Sequence, residues 1–128
     1  MKDKIVLIGL FLGLTSIIFG AFGAHALKSV LTESQLQSFE VGIRYQMYHA
    51  LFLLFIGKYA GISEAAQKYI SWGVILGVVL FSGSIYLLAL SQVIGIDFSF
   101  LGPVTPIGGF LLIGSWFLLF LNFFKQKR

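Results

Sequence analysis

The residues best equipped for chemistry in this chain are His25, Glu40, Arg44, Tyr45, Tyr48, His49 and Tyr86. Glu40 and Arg44 stand four apart with the acid first, the favourable order for an ion pair along one helix face. The alternative use of Arg44 is to hold an acidic ligand such as a lipid phosphate, because its planar fork matches phosphate oxygens. His25 and His49 could each give a neutral ring nitrogen to a metal, with Glu40 as a third ligand. No H-x-x-x-H or similar spacing supports that use. Polar residues closing or opening a helix are the plainer account, so no metal site is assigned and the two histidines remain its candidates. Tyr45 and Tyr48 read either as interfacial belt aromatics or as the sides of a binding site. No arrangement of nucleophile, base and acid is visible, and no motif calls for a cofactor. The chain has no cysteine, which excludes disulfides, thiol chemistry and cysteine-held metals.

The elements that must position these residues follow from composition. Of 128 residues, 58% are hydrophobic and 11% charged, against about a quarter charged in soluble domains. Mean hydropathy is +0.94. Several runs reach the roughly 20 helical residues needed to cross a hydrocarbon core. They are continuous and do not alternate, so the spans are helices and not barrel strands. One transmembrane domain over 1–128 is expected, with spans at about 5–27, 43–62, 69–90 and 106–124.

The first run, from Ile5 to Leu27, follows a short basic lead and ends in Ala24-His25-Ala26, which imitates a signal cleavage site. Its small residues argue for a retained helix. Gly9, Gly13, Ser16, Gly20 and Gly23 are spaced 4, 3, 4, 3, a seam along which a second helix can approach closely. Thr32-Glu33-Ser34-Gln35 fits a capping box. It opens an amphipathic helix over 33–42 that runs outside the hydrocarbon and straight on into the second span. Because Ala50–Gly57 alone is too short to cross, that span must take in Arg44, Tyr45, Tyr48 and His49. Arg44 is then expected to point into the bundle, towards His25, His49 or a ligand between them, and not into lipid. In the third span Gly73 and Gly77 form G-x-x-x-G, extended by Ser84. Thr105-Pro106 reads as N-cap and first residue of the last helix. There Gly108, Ser115 and Asn122 repeat every seven residues.

Four spans put both termini on one side. That side carries Lys2, Lys4, Lys58, Lys68, Lys125, Lys127 and Arg128, and the other only Lys28 and Arg44. The positive-inside rule then makes the termini cytoplasmic. The same placement accounts for the net charge of +4 without a nucleic-acid partner. His25, the polar start of span two, Tyr86, Asp97 and Thr105 would all gather at the outward end.

Four segments, Gly20-Ala-Phe-Gly-Ala-His-Ala-Leu27, Tyr45-Gln-Met-Tyr-His-Ala-Leu51, Phe81-Ser-Gly-Ser-Ile-Tyr86 and Leu101-Gly-Pro-Val-Thr-Pro-Ile-Gly-Gly109, together resemble one family. It is the small integral membrane family known as domain of unknown function 423, which includes bacterial YgdD-like proteins. The resemblance implies a multi-span protein of the bacterial cytoplasmic membrane and no established activity. The fold expected is therefore an all-α membrane protein, a four-helix transmembrane bundle with an outward amphipathic helix between spans one and two. Three functions fit. The first is a binding module for a lipid headgroup or small amphiphile, with Arg44 as the contact for an anionic lipid and the histidines and tyrosines as walls. The second is an assembly subunit whose small-residue seams (Gly9, Gly13, Ser16, Gly20, Gly23; Gly73, Gly77, Ser84; Gly108, Ser115) pack against its own copies or another membrane protein. The third is a metal-dependent membrane enzyme.

Overall fold

A computed structural model describes residues 2–126. All of its regular structure is helical, and no strand occurs among the described residues. Lys127 and Arg128, counted above among the basic residues, lie outside them. Four helices follow one another: α1, Lys2–Leu27; α2, Glu33–Lys58; α3, Glu64–Ile94; and α4, Val104–Gln126.

Local chemistry sets the boundaries. Thr32 Oγ1 accepts from the Gln35 amide at 3.1 Å and Gln35 Oε1 accepts from the Thr32 amide at 3.0 Å, so the capping box is complete. α2 is one continuous helix from this cap. It stops at Lys58, four residues earlier than the expected end of span two, because Tyr59 turns extended and Ser63 opens α3 by accepting from the Ala66 amide. α3 ends at Gly95, whose φ of 83° is the left-handed conformation that a side chain disfavours. In the loop beyond it, the Ser99 amide donates to Asp97 at 3.0 Å, and this holds the exposed Asp97 carboxyl below its usual range. α4 begins at Val104, ahead of the expected cap at Thr105. Thr105 instead meets Ser84 through their hydroxyls at 2.5 Å, which ties the start of α4 to α3.

Two stretches are wound wider than an α-helix. Gly23–Leu27 closes α1 as a π turn, and Val79–Gly83 forms a π segment within α3. Such segments place one additional residue in a turn.

α2 is the centre of the packing. It lies along α1 on one side and along α3 on the other, and α3 in turn packs on α4. Its inward stripe includes Gly42, Gln46, His49, Leu53 and Ile56, all buried. The core continues through Ile70, Val74 and Val78 of α3 and Leu112 of α4. The outer helices show the reverse pattern. Leu7, Leu10, Phe11, Leu14, Ile17 and Ile18 cover α1 with exposed apolar side chains, a belt too extensive for a water-facing surface. α1, α3 with its π segment, and the helical run Ser99–Gln126 are each long and apolar enough to cross a membrane. α2 does not pass on composition, although its 26 residues would extend about 39 Å.

The small-residue seams meet neighbouring helices of the same chain. A Cβ on Gly9 would lie 3.0 Å from the Ala50 carbonyl oxygen, and one on Gly77 would lie 2.6 Å from Leu112. Ser16, Ser84 and Ser115 are buried, and Gly73 lies against Ser115. Gly23 is buried against Phe39 at 3.3 Å. The expected tightness at Gly13 and Gly20 is not found. Their nearest neighbours would be 3.8 and 3.9 Å from an added Cβ, ordinary contact. Heptad spacing selects a helix face, but contact with α2 is tight at Gly9 and Gly23 and leaves room for a methyl at Gly13 and Gly20 between them. Two tighter glycines escaped the seam pattern. Gly42 sits under Tyr86, and Gly57 under Val6 and the Lys2 carbonyl.

Candidate functional site

Helical rotation divides the candidate residues into two sets. From Arg44, each residue of α2 advances about 100°, which puts Gly42, Gln46 and Leu53 on the far side of the helix. Arg44 therefore faces away from the core, contrary to the inward orientation expected from the cost of a charge in lipid. Its guanidinium lies 3.6 Å from Glu40, with the two side chains 55% and 48% exposed. Tyr48 is exposed on the same face, and Tyr45 is exposed at its edge, with its ring 5.0 Å from that of Phe81. Beside Glu40 and Arg44, the backbone of Gly20, Gly23 and Ala24 leaves a notch of about 210 Å³ against Ile43. His25, in the π turn that closes α1, is exposed. Among the described residues no three His, Cys, Asp or Glu side chains are grouped to hold a metal.

The second set is internal. His49 is buried, with Nδ1 2.6 Å from the Tyr45 carbonyl. A carbonyl only accepts, so Nδ1 carries the proton. Nε2 is then the acceptor that receives the Trp116 indole N–H at 3.0 Å. Both nitrogens are committed, and the ring is the neutral tautomer fixed by its partners. One turn earlier, Gln46 joins three helices. Its Nε2 donates to the Leu12 carbonyl at 2.9 Å and to Thr15 Oγ1 at 2.7 Å, both on α1. Its Oε1 accepts from the Tyr86 hydroxyl of α3 at 2.6 Å. The Tyr86 ring packs edge-on against Phe19, with centroids 5.3 Å apart. Ser82 completes the joint by donating to the Gly42 carbonyl at 2.7 Å.

Of the predicted site, then, Glu40 and Arg44 are together with Tyr48 on the outer face. His49 and Tyr86 are interior, and His25 is exposed on the turn that closes α1. The internal joints rest on Gln46, Thr15, Ser82 and Trp116, none of which was singled out from the sequence. The available signal was an uncharged polar residue on the stripe Gly42–Gln46–His49–Leu53, opposite the charged face. In lipid such residues turn inward and bond across helices.

The profile of the family described as "Protein of unknown function (DUF423)" matches residues 19–109. The chain belongs to this family. Its relatives include a UPF0382 membrane protein of Staphylococcus haemolyticus, 40% identical over 94% of each chain. The UPF0382 membrane protein YwdK of Bacillus subtilis is 36% identical over 89% of this chain and 90% of its own. A UPF0382 membrane protein of Staphylococcus saprophyticus is 38% identical over 94% of this chain and 96% of its own. No solved structure matches. The chain is thus a DUF423 membrane protein, and membership of the family brings no assigned reaction to it. The family match takes in the outer set and the α2 stripe with Ser82 and Tyr86, while Leu12, Thr15 and Trp116 of the internal joints lie outside the matched residues.

Proposed function

We propose that the chain is a four-span protein of the bacterial cytoplasmic membrane that holds an anionic lipid headgroup or small amphiphile at its outward end. The fourth span is α2. Support for it comes from pairing along its length: Gly57 lies against Val6, Ala50 and Leu53 against Gly9, Ile43 against Gly20, and Phe39 against Gly23. If the apolar run of α1 crosses the bilayer, the stretch from Phe39 to Gly57 crosses beside it. The polar side chains that lower the apolarity of α2 are paired inside, as Gln46 and His49 are, or lie towards its ends, where Glu40 and Arg44 reach one interface and Lys58 the other. Lys2, Lys4, Lys58, Lys68 and Lys125 fall at the end of the bundle that holds the start of α1 and the end of α4, which supports cytoplasmic termini. Cysteines introduced singly for Ser34 and Asp97 should react with an impermeant thiol reagent added outside intact cells, and one replacing Gln126 should not. Labelling of the last alone would reverse the orientation.

The observation that carries the binding reading is Arg44 beside its notch. Glu40 is its charged partner at 3.6 Å, longer than a hydrogen bond, so its N–H donors remain available to phosphate oxygens. The glycine and alanine backbone beneath admits a headgroup. The assembly reading lacks such a feature, since Gly73, Gly77, Gly108 and Ser115 are taken up between α3 and α4.

The test is local. Phosphatidylglycerol titrated into the protein in maltoside micelles should shift the Arg44 Nε–H and the Gly20 and Gly23 amides saturably in NMR spectra. Arg44→Gln should weaken the response at the glycines about fivefold, the worth of one basic group at an anionic membrane surface. Equal shifts with phosphatidylcholine, or an unchanged response in the variant, would remove the site.

A further inference from the structure

The opposite end of the bundle carries two hydrogen-bonding groups that the chain leaves unused. Ser71 Oγ and Gln67 Oε1 lie one turn apart on α3, and neither has a partner. Ser71 is 3% exposed and Gln67 is 0% exposed. Thr15, Ser84 and Ser115 each donate back to a carbonyl of their own helix. Ser16 Oγ is a third buried polar group without a partner, but it stands alone on α1, with no second unpaired group one turn away. Gln67 is half satisfied, its Nε2 donating to the Ile56 carbonyl at 2.9 Å. Buried polar groups are nearly always paired, so two adjacent orphans call for a partner from outside the chain.

Their surroundings specify that partner. Ser71 lines a groove of about 190 Å³ between the first turns of α1 and of α3. Ile5, Ile8, Trp72 and Ile75 form its walls, and Lys4 and Lys68 flank it nearer the helix starts. From Lys68 to Ile75 is about 10 Å along the helix, so the groove grades from cationic to apolar with depth. That gradient matches the phosphate and first acyl segment of a phospholipid lying along the bundle. The volume is below the roughly 300–1,000 Å³ of enclosed ligand pockets, as suits a molecule whose remainder lies in the bilayer. Gln67, one turn before Ser71, lines a second cavity of about 590 Å³ with Lys2, Asp3, Ile62 and Glu64. The two carboxylates there disfavour an anion but can accept from hydroxyls, as can Gln67 Oε1.

We propose that this groove holds one anionic phospholipid whose headgroup bears hydroxyls. Its phosphate lies between Lys4 and Lys68, and an ester oxygen accepts from Ser71 Oγ. A headgroup hydroxyl donates to Gln67 Oε1, and the acyl chain runs over Ile8 and Ile75. The site is remote from the Arg44 notch and needs only α1 and α3 in the bilayer, so either can fail without the other.

Trp72 reports on the groove directly, and the chain has only two tryptophans. The full chain in maltoside micelles is titrated with acyl-brominated phosphatidylglycerol or phosphatidylcholine while tryptophan fluorescence is followed. Phosphatidylglycerol should quench at a lower mole fraction, by about fivefold for each lysine engaged. The excess should vanish in Trp72→Phe, which leaves Trp116 as the emitter, and in the double variant Lys4→Gln/Lys68→Gln. Ser71→Leu fills the groove but keeps both lysines, and it should also abolish the preference. Ser71→Ala, which deletes only the hydroxyl, should reduce it even if the leucine variant is unstable. Equal quenching by the two lipids in the native chain overturns the proposal. So does a preference that survives both Ser71 substitutions, since the lysines would then be attracting lipid without a groove.

Discussion

Gly108→Ala should destabilise the bundle more than any other single methyl addition on its seams. The new Cβ would meet the backbone of α3: the amide nitrogen of Phe81, the Leu80 carbonyl carbon at 2.8 Å and the Gly77 carbonyl oxygen at 2.9 Å. A flexible side chain could swing aside, but these atoms belong to a helix and move only if α3 and α4 separate. Overpacking of this kind costs typically about 1–3 kcal/mol, and the rigid obstacle places this case at the upper end. Gly13→Ala is the internal control. Its Cβ would make ordinary contact with Ala50 and Met47 at 3.8 and 3.9 Å, while replacing glycine in a helix gains up to about 1 kcal/mol in propensity. Thermal unfolding in maltoside, followed by circular dichroism, should show a marked drop for Gly108→Ala and none for Gly13→Ala. Equal midpoints for the two variants would mean that the close crossing of α3 and α4 does not exist.

The second large effect should come from Gln46→Leu. The substitution keeps bulk but removes the group that links α1, α2 and α3. Tyr86 loses its acceptor while Thr15 keeps bonds to the Phe11 and Leu12 carbonyls. Cross-helix hydrogen bonds in membranes average about 0.6 kcal/mol with a maximum near 1.7, and a stranded buried donor costs about 1–3 kcal/mol. The expected loss is about 2 kcal/mol. Tyr86→Phe alone should cost less, and the double variant should be little worse than Gln46→Leu, because the tyrosine hydroxyl has then already lost its purpose. Equilibrium unfolding of all four proteins closes the cycle. Strict additivity would show that the two side chains do not share a bond.

The sequence makes the helices legible because their signals are local. The Thr32 capping box and the unbroken apolar runs each depend on a few neighbouring residues, whereas α3 runs to Ile94, four residues past the expected end of span three at about 90. The face that α2 buries was harder to read. Cost alone argued that Arg44 should turn inward, but a charge near a helix start can also reach the interface. The stripe through Gly42 and Gln46 decides between these, and its polar members are uncharged. The tight positions Gly42 and Gly57 belong to no repeat, since each is set by what another helix brings against it, the Tyr86 ring at Gly42 and Val6 with the Lys2 carbonyl at Gly57. Ser71 and Gln67 were invisible for the same reason. Only the tertiary arrangement reveals which buried polar groups go unanswered.

The π segment Val79–Gly83 has a consequence for the phase of α3. Counted as an uninterrupted α-helix, Tyr86 would lie about 100° around from Gln67, off the stripe that faces α2. A wider turn absorbs roughly one residue of rotation. Tyr86 thereby returns to the azimuth of Gln67. The helix thus behaves as two rods with separate registers joined by a rotational offset. One rod is keyed to Ile56 near the basic end and the other to Gln46, nearer the end that holds Arg44. The offset lets a single straight span satisfy both.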